Sequence, residues 1–283
     1  MSVEPKVVRQ AVRQAEAAAG AAGVSVRQAT PGDLAAAIGL FERTWGVGRS
    51  PDDSMLRALD FAGNTVLVAI AVGASGPNPI GATAGDPIGA TAGDPIGASL
   101  GFLGWTDGIH LHSHMTAVGP GQRGGGVGYA LKLYQRALCL EHGIADMRWT
   151  FDPLIRRNAH FNLVKLGAEV VRFWPDFYGR LDDDITGSDR SDRFEVRWRL
   201  DSPRTLRALA GELPPAWSGT DTLRLDGDFE RLRAADPAEA ARCRDESRTQ
   251  FRVALSRGLR PELTENKDYI FTTDAADSAP RPA

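Results

Sequence analysis

The sequence predicts an α/β fold, because strand-like and helix-like stretches alternate along most of the chain. Between residues 24 and 200, apolar residues recur with period two in some segments and at three- to four-residue spacing in others, in the order β-α-α-β-β-β-loop-α-β-α-β-β. After Leu200 the composition changes, since several prolines indicate a linker and the pattern over 236–258 is helical. A C-terminal helical appendage should therefore follow the α/β domain.

These patterns divide the chain into four parts. We expect an N-terminal helix (1–23), an α/β domain (24–200), a C-terminal appendage (201–271) and a disordered tail (272–283). Within the domain, residues 79–95 contain an eight-residue repeat. A period of eight is too short for a helical solenoid. The repeat is best explained as a duplication, and we expect it to form a loop away from the chemistry.

Local signals support the individual elements. Val24 to Gln28 alternates like a strand, Thr30 and Pro31 suit a helix start, and Gly167 suits a helix end. The predicted helices lie at 7–22, 30–45, 52–61, 128–142 and 158–166, and the predicted strands at 24–28, 65–72, 96–105, 108–118, 145–151, 168–173 and 193–200.

Composition narrows the class of protein. The hydrophobic fraction is 42% and the net charge is −3, so a soluble globular chain without a broad basic surface for nucleic acid or anionic membranes is expected. Cys139 and Cys243 form no CxxC pattern, which favours a reducing compartment. We find no signal peptide and no apolar run of about 20 residues, so we expect a cytoplasmic protein without a membrane partner. The sequence leaves a homodimer open.

The sharpest chemical signal is a glycine-rich segment, Val118 to Leu131, between an apolar strand and an amphipathic helix. Glycines let backbone N–H groups approach a ligand, and the start of a helix adds the positive end of its dipole. The segment therefore suits a pyrophosphate, with Arg123 as a cation at its rim. It lacks the Gly-Lys-Ser/Thr of a Walker loop, and its spacing is not that of the dinucleotide fingerprint.

The spacing Arg-x-x-Gly-x-Gly, formed by Arg123, Gly126 and Gly128, resembles the CoA loop of the GNAT superfamily of N-acyltransferases. The element order over Val24 to Leu200 is similar too, and the segment 149–162 resembles an uncharacterised bacterial subgroup of that superfamily. The resemblance implies a mixed, mostly antiparallel, splayed sheet flanked by helices.

The same resemblance implies acetyl-CoA or another acyl-CoA as co-substrate. In that superfamily the end of the fourth strand pairs with the pantetheine arm, the loop binds the pyrophosphate and a later asparagine contacts CoA. On this sequence those roles fall on Ala117, Val118, Arg123, Gly124, Gly125, Gly126, Val127, Gly128 and Asn158.

Three histidines precede the loop. His110, His112 and His114 alternate along one predicted strand, so their side chains should share one face. A histidine titrates near neutrality and can remove a proton from an attacking amine, which makes His112 and His114 candidate general bases. That pair is also similar to the paired histidines of arylalkylamine N-acetyltransferase. Structural histidines, or a metal site completed by a ligand from elsewhere, are the alternatives.

A proton donor for the leaving thiolate is harder to place. Many GNAT enzymes carry a tyrosine four residues before the glycine that ends the asparagine helix, and here that position is Leu163. Tyr178 is the best remaining candidate, with His160 and Asn162 as weaker ones, although a packing aromatic is the more common role for such a tyrosine. Asp152 suits either a substrate ammonium or, more simply, a helix start.

The sequence thus predicts an acyl-CoA-dependent N-acyltransferase, using acetyl-CoA by preference, that acylates a primary amine of a small molecule by direct attack on the thioester. The alternatives are a CoA-thioester decarboxylase, a transferase for another acyl group and a non-catalytic CoA-binding module.

Overall fold

The computed structural model describes residues 3–72, 94–179, 181, 189–219 and 221–278. The eight-residue repeat therefore lies outside the described residues, apart from its last two positions. The chain forms two compact units; the first runs to Met147 and the second begins at Arg148.

The first unit combines four antiparallel strands with four helices. Their bounds are α1 (Pro5–Ala21), β1 (Val24–Gln28), α2 (Leu34–Trp45), α3 (Asp53–Phe61), β2 (Thr65–Ala71), β3 (Gly97–Gly104), β4 (His110–Val118) and α4 (Val127–Glu141). The strands lie in the order β1-β2-β3-β4, and each pairs with its neighbour in antiparallel register. These bounds agree with the sequence prediction to within a few residues at each end.

The core of the first unit explains why these elements assemble. Phe41 of α2 and Leu56 of α3 are fully buried with Val66 of β2 and Leu100 of β3 in one hydrophobic cluster. Removing such side chains from water is the main favourable term in folding. On α4, Arg136 Nη1 donates to Gln14 Oε1 of α1 at 2.9 Å. The N-terminal helix is therefore joined to the helix that follows the glycine loop.

The second unit contains the remaining elements. They are β5 (Asp146–Phe151, which begins two residues before the boundary), α5 (Arg156–His160), a π-helical turn (Phe161–Lys165), β6 (Glu169–Trp174), β7 (Arg193–Arg199), α6 (Pro203–Leu209), β8 (Thr222–Leu223), α7 (Phe229–Ala235), α8 (Pro237–Ser256), β9 (Arg260–Leu263) and β10 (Tyr269–Thr272). Strands β6 and β7 are antiparallel, and β8, β10 and β9 form a separate small sheet in that order. The appendage thus contains strands that the sequence pattern did not predict.

An aromatic core holds the appendage to the strands of the second unit. The ring centroid of Phe194 on β7 lies 4.5 Å from that of Phe251 on α8 and 5.6 Å from that of Tyr269 on β10. Phe151 and Phe173 also contact Phe194 edge-on. Because Phe194 and Phe251 are fully buried, residues 201–271 share a core with β5–β7.

The beginning of the predicted tail makes contacts in the structure. Asp277 accepts a hydrogen bond from Arg199 Nη2 at 2.6 Å, and Asp274 accepts one from the Ser218 hydroxyl at 2.6 Å. Residues 279–283 lie outside the described residues.

Together these elements confirm the mixed α/β class with mostly antiparallel strands flanked by helices. No helix in the described ranges is long and apolar enough to cross a bilayer.

Candidate active site

The glycine-rich segment forms an exposed turn between β4 and α4. Gly121, Gly124 and Gly126 have φ angles of 82°, 85° and 88°, in the left-handed region that favours glycine. Gly126 is the N-cap of α4, and no side chain caps the helix there. An added Cβ at Gly126 would lie 3.4 Å from Cβ of Ala22, just beyond α1. The end of the N-terminal helix therefore supports the turn, a contact that the sequence pattern did not reveal.

This turn leaves backbone donors without acceptors. The N–H groups of Gln122 and Gly125 donate within the turn, to the carbonyls of Gly119 and Gln122. Among the described residues, the N–H groups of Arg123, Gly124, Gly126, Val127 and Gly128 have no acceptor. The first-turn N–H groups of a helix are an anion site when nothing else satisfies them.

Arg123 adds a cation to these donors. Its side chain is exposed and has no carboxylate partner in the part of the chain that the structure describes. The predicted loop thus has the donors and the charge that a pyrophosphate requires.

Strand β4 leads into the turn and carries a β-bulge. Leu100 of β3 pairs with Met115, whereas Gly101 pairs with Ser113, so His114 has no partner on β3. A Cβ at Gly101 would lie 2.8 Å from Thr65 Oγ1, which explains the glycine opposite the bulge. Bulges re-aim side chains and occur often beside active sites.

The bulge brings two of the three histidines together. The ring centroids of His112 and His114 are 5.9 Å apart, and both rings lie against Phe102, at 5.2 Å and 5.6 Å. His110 is separate, because its Nδ1 is bonded to the Gly108 carbonyl at 2.9 Å and its ring packs against Gly104. Of the three, His110 therefore has a structural role in the hairpin.

His112 and His114 are both neutral at pH 7, because burial lowers the pKa of each imidazole. Burial, followed by the charges of His114, His110 and Lys132, lowers the pKa of His112 to about 4. Burial also lowers the pKa of His114, although its side chain is the more exposed of the two. Each ring can therefore accept a proton at pH 7, and His114 is the more accessible of the two to solvent.

A buried polar network lies on the other face of β4. Lys132 Nζ donates to Ser113 Oγ at 2.6 Å, Ser113 donates to Gln135 Oε1 at 2.8 Å, and Gln135 donates to Thr65 Oγ1 at 3.0 Å. Burial lowers the pKa of Lys132 to about 7. The sequence pattern did not predict this network, because its members are spread over 70 positions of the chain.

The other predicted site residues belong to the second unit. The Tyr178 hydroxyl lies 3.2 Å from Thr150 Oγ1, and the Arg193 guanidinium is 5.4 Å from its ring centroid. Asn158 is half-buried on α5, and Leu163 is buried in the π-helical turn. The helix predicted for 158–166 is thus a short α-helix followed by a π-helical turn, a feature often found at functional sites.

Asp152, for which the sequence left open a substrate ammonium or a helix start, has an arginine as its partner. It pairs in bidentate fashion with Arg244 of α8, at 2.7 Å and 2.8 Å, and it accepts the N–H of Leu154. These contacts lower the pKa of the Asp152 carboxyl against its own burial. Its partner is 92 positions away in sequence, so no local signal identified it.

Within the described ranges, no three histidine, cysteine or acidic side chains are placed to share a metal ion.

Several of the solved structures that are similar to this chain are acetyltransferases. One is YncA, a putative acetyltransferase from Salmonella typhimurium with its cofactor acetyl-CoA (16% identity, 63% of this chain and 95% of that one, TM-score 0.45). Another is the diaminobutyrate acetyltransferase EctA from Paenibacillus lautus, with its substrate and coenzyme A (15%, 62% and 95%, 0.44). A third is a putative acetyltransferase of the GNAT family from Desulfovibrio desulfuricans (16%, 62% and 99%, 0.41).

No protein-family model and no curated protein matches the sequence. At these identities and TM-scores, the likeness to solved structures says nothing about the substrate.

Proposed function

We propose that this chain is an acyl-CoA-dependent N-acyltransferase of the GNAT type that transfers an acyl group, acetyl by preference, to a primary amine of a small molecule. One observation supports it above the others. The donors at the start of α4 have no acceptor, and they directly follow a strand that carries a pair of neutral histidines.

The donors at Gly124, Gly126, Val127 and Gly128 would hold the pyrophosphate of CoA, with Arg123 beside it. Charge-assisted hydrogen bonds to backbone N–H groups are stronger than neutral ones, and the dipole of the 15-residue helix α4 adds to them. CoA would supply the activated acyl group as a thioester. The backbone at Ala117 and Val118 would then orient the arm that carries it.

The histidine pair would handle the proton. His114 lies four positions before Val118 along the strand, which is roughly 13 Å, a distance that an extended thioester arm spans. His114 would remove a proton from the ammonium before the amine attacks the carbonyl carbon. His112, whose pKa of about 4 makes it a weak base, would instead help to position His114, since both rings contact Phe102.

Tyr178 is the proposed proton donor to the departing thiolate. It is exposed, and its hydroxyl has a hydrogen-bond neighbour in Thr150. Leu163 at the usual tyrosine position has no proton to give.

The first test is calorimetric binding of acetyl-CoA, followed by an amine panel read by release of free thiol. We expect micromolar binding and amine-dependent thiol release. His114→Gln should lower kcat by about 10²- to 10⁴-fold, the range for loss of a general base, while acetyl-CoA binding changes little. Folded protein that does not bind CoA at millimolar concentration contradicts the proposal, and thiol release without any amine favours a decarboxylase or hydrolase.

A further inference from the structure

The second unit contains a cavity of about 650 Å³ with Asn158 in its wall. One side is formed by α5 and the π-helical turn, and the other by Gly227 and the turn between β9 and β10. A volume of this size is typical of small-molecule sites.

The lining of this cavity contains more cationic than acidic side chains. It includes Arg156, Arg157, Lys165 and Lys267, against the single carboxylate of Glu265. Arg157 is neutralised by a bidentate ion pair with Glu230 of α7, which is not a lining residue. Lys165 and Lys267 are exposed, and neither has a carboxylate partner in the part of the chain that the structure describes.

The charges of Lys165 and Lys267 affect the pKa of His160, which lines the same cavity. Burial lowers the pKa of His160, and the charges of Lys267 and Lys165 lower it further. Two lysines from elements about a hundred positions apart therefore act on one point of the cavity. Such convergence of like charges is unfavourable unless an anion offsets it.

Arg156 supplies a donor that is not satisfied. Its guanidinium donates to the Asn266 carbonyl and lies 3.9 Å from Asp268, but its Nε–H is buried and has no acceptor among the described residues. A buried donor of this kind calls for an unobserved partner.

The backbone at Lys267 is the third sign. Its φ angle is 61°, in the left-handed region where glycine or asparagine is usual. Hydrogen bonds from Lys267 N to the Thr264 carbonyl and from Thr264 N to the Asp268 carbonyl, both 2.9 Å, fix the turn in that conformation. Lys267 thus occupies the left-handed position that follows the turn of this hairpin, and the turn fixes its backbone in the wall of the cavity.

We propose that this cavity binds the phosphate monoester group of a small organic molecule. Lysine is a common phosphate ligand as a point charge, and Lys165 and Lys267 would supply two such charges, with Arg156 and Asn158 as further donors. CoA carries a phosphate monoester at its 3′ position, so CoA and a separate phosphorylated metabolite are the two sources of this chemistry. The CoA source depends on the proposed function, whereas the anion site itself does not.

The test of the anion site uses adenosine 3′-monophosphate as the probe, with affinity measured by calorimetry. We expect Lys165→Gln combined with Lys267→Gln to weaken binding at least tenfold. The matched control is Arg224→Gln combined with Arg252→Gln, which removes the same charge from exposed positions of the same unit and should change the affinity less than twofold. Binding that is equal in both double variants, or absent from the wild-type protein, overturns the proposal.

Lys267→Gly separates charge from structure. Glycine accepts the left-handed φ, so this variant should raise Tm while it weakens binding of the probe. An increase in Tm with unchanged probe affinity would show that the lysine has only a structural role, and it would refute the site.

The source is identified by comparing CoA with 3′-dephospho-CoA. If the cavity holds the 3′-phosphate of CoA, the wild-type protein prefers CoA at least tenfold, and the lysine double variant loses that preference while its affinity for dephospho-CoA stays the same. If both proteins bind CoA and dephospho-CoA alike and only the probe is lost, the ligand is a separate phosphorylated molecule. If neither protein binds any CoA, the proposed function fails, and the monophosphate measurement still decides the cavity.

Discussion

Replacing Gly126 with alanine tests the glycine turn most directly, because Gly126 is both the N-cap of α4 and one of the proposed pyrophosphate donors. Its φ angle is 88°, which costs a residue with a Cβ about 1–2 kcal/mol. The added Cβ would lie 3.4 Å from Cβ of Ala22 and 3.9 Å from its Cα, which are ordinary van der Waals contacts, so the cost comes from the φ angle. We expect the backbone to rotate and to turn at least one N–H away from the ligand.

The magnitude follows from the number of donors lost. A hydrogen bond to a charged group contributes about 1.5–3 kcal/mol. Since about 1.4 kcal/mol corresponds to a tenfold change in Kd, Gly126→Ala should weaken CoA binding about 10- to 100-fold. Titration calorimetry with CoA measures this change directly.

Gly143 provides the matched control. It lies just beyond the C-terminal end of the same helix, its φ angle is 74°, and an added Cβ would contact nothing within 4 Å. Gly143→Ala should therefore lose about the same free energy of unfolding as Gly126→Ala, with Tm lower by a few degrees in both, while its CoA affinity stays that of the wild-type protein. If the two variants bind CoA within twofold of each other, the turn is not the pyrophosphate site.

Three further predictions concern stability and pH. Arg204→Met breaks a buried ion pair with Glu262 (2.6 Å and 2.8 Å) and should lower the free energy of unfolding, measured in urea, by about 3–5 kcal/mol. Arg207→Met loses one hydrogen bond to a backbone carbonyl and should lower it by less than about 1.5 kcal/mol. Equal losses in the two variants would contradict a stabilising role of the ion pair. Burial lowers the pKa of Lys132 to about 7, below its unfolded value of 10.5, so its burial penalty is full below pH 7 and is lost as the pH rises toward 10.5. Lys132→Met should accordingly raise the free energy of unfolding by about 1–4 kcal/mol at pH 6 and by much less at pH 10, and a pH-independent effect would refute the assignment. Because the pKa of His114 is lowered, the acid limb of kcat/KM should lie below pH 6.5, and a limb above that value that disappears in His114→Gln would contradict it.

Much of the first unit could be predicted because its signals are local. Strand β4 and helix α4 begin and end within two residues of the predicted bounds. The glycine turn between them is formed by consecutive residues, and Gly124 and Gly126 adopt left-handed φ angles that glycine tolerates better than other residues do. A turn of this kind needs no distant partner to be recognised.

The bulge at His114 lies beyond such a prediction. A regular strand would place His110, His112 and His114 on one face, as the alternation predicted. The structure instead leaves His114 without a β3 partner, so that only His112 and His114 share the contact with Phe102. The position of the register shift depends on which residues of β3 and β4 face each other. Gly101 therefore indicates the bulge only once the pairing of these strands is known.

The helix predicted over 236–258 is present as α8, but the strands of the appendage escaped prediction for a related reason. Strands β9 and β10 have four residues each, and Tyr269 and Phe271 of β10 pack against Phe251 of α8. Likewise, the bond between Arg244 and Asp152 joins residues 92 positions apart. Contacts between distant segments determine the second unit, and these leave no periodic trace in the sequence.

The proton donor shows how chemistry can relax a sequence requirement. Leu163 is buried and apolar, so the usual position contributes no acid, and Tyr178 is the proposed substitute. A thiol has a pKa near 8.5, well below the roughly 10 of a tyrosine, so the departing thiolate is a weaker base than the tyrosinate that protonating it would produce. A thiolate therefore leaves without a strong acid, and the Tyr178 hydroxyl, as the proposed donor, has only to offer its proton to the developing charge. The proposed base His114 faces the opposite demand, since an attacking amine must lose its proton before it can react. In the proposed mechanism the helix tyrosine is therefore dispensable, whereas a neutral histidine before the proposed CoA turn is not.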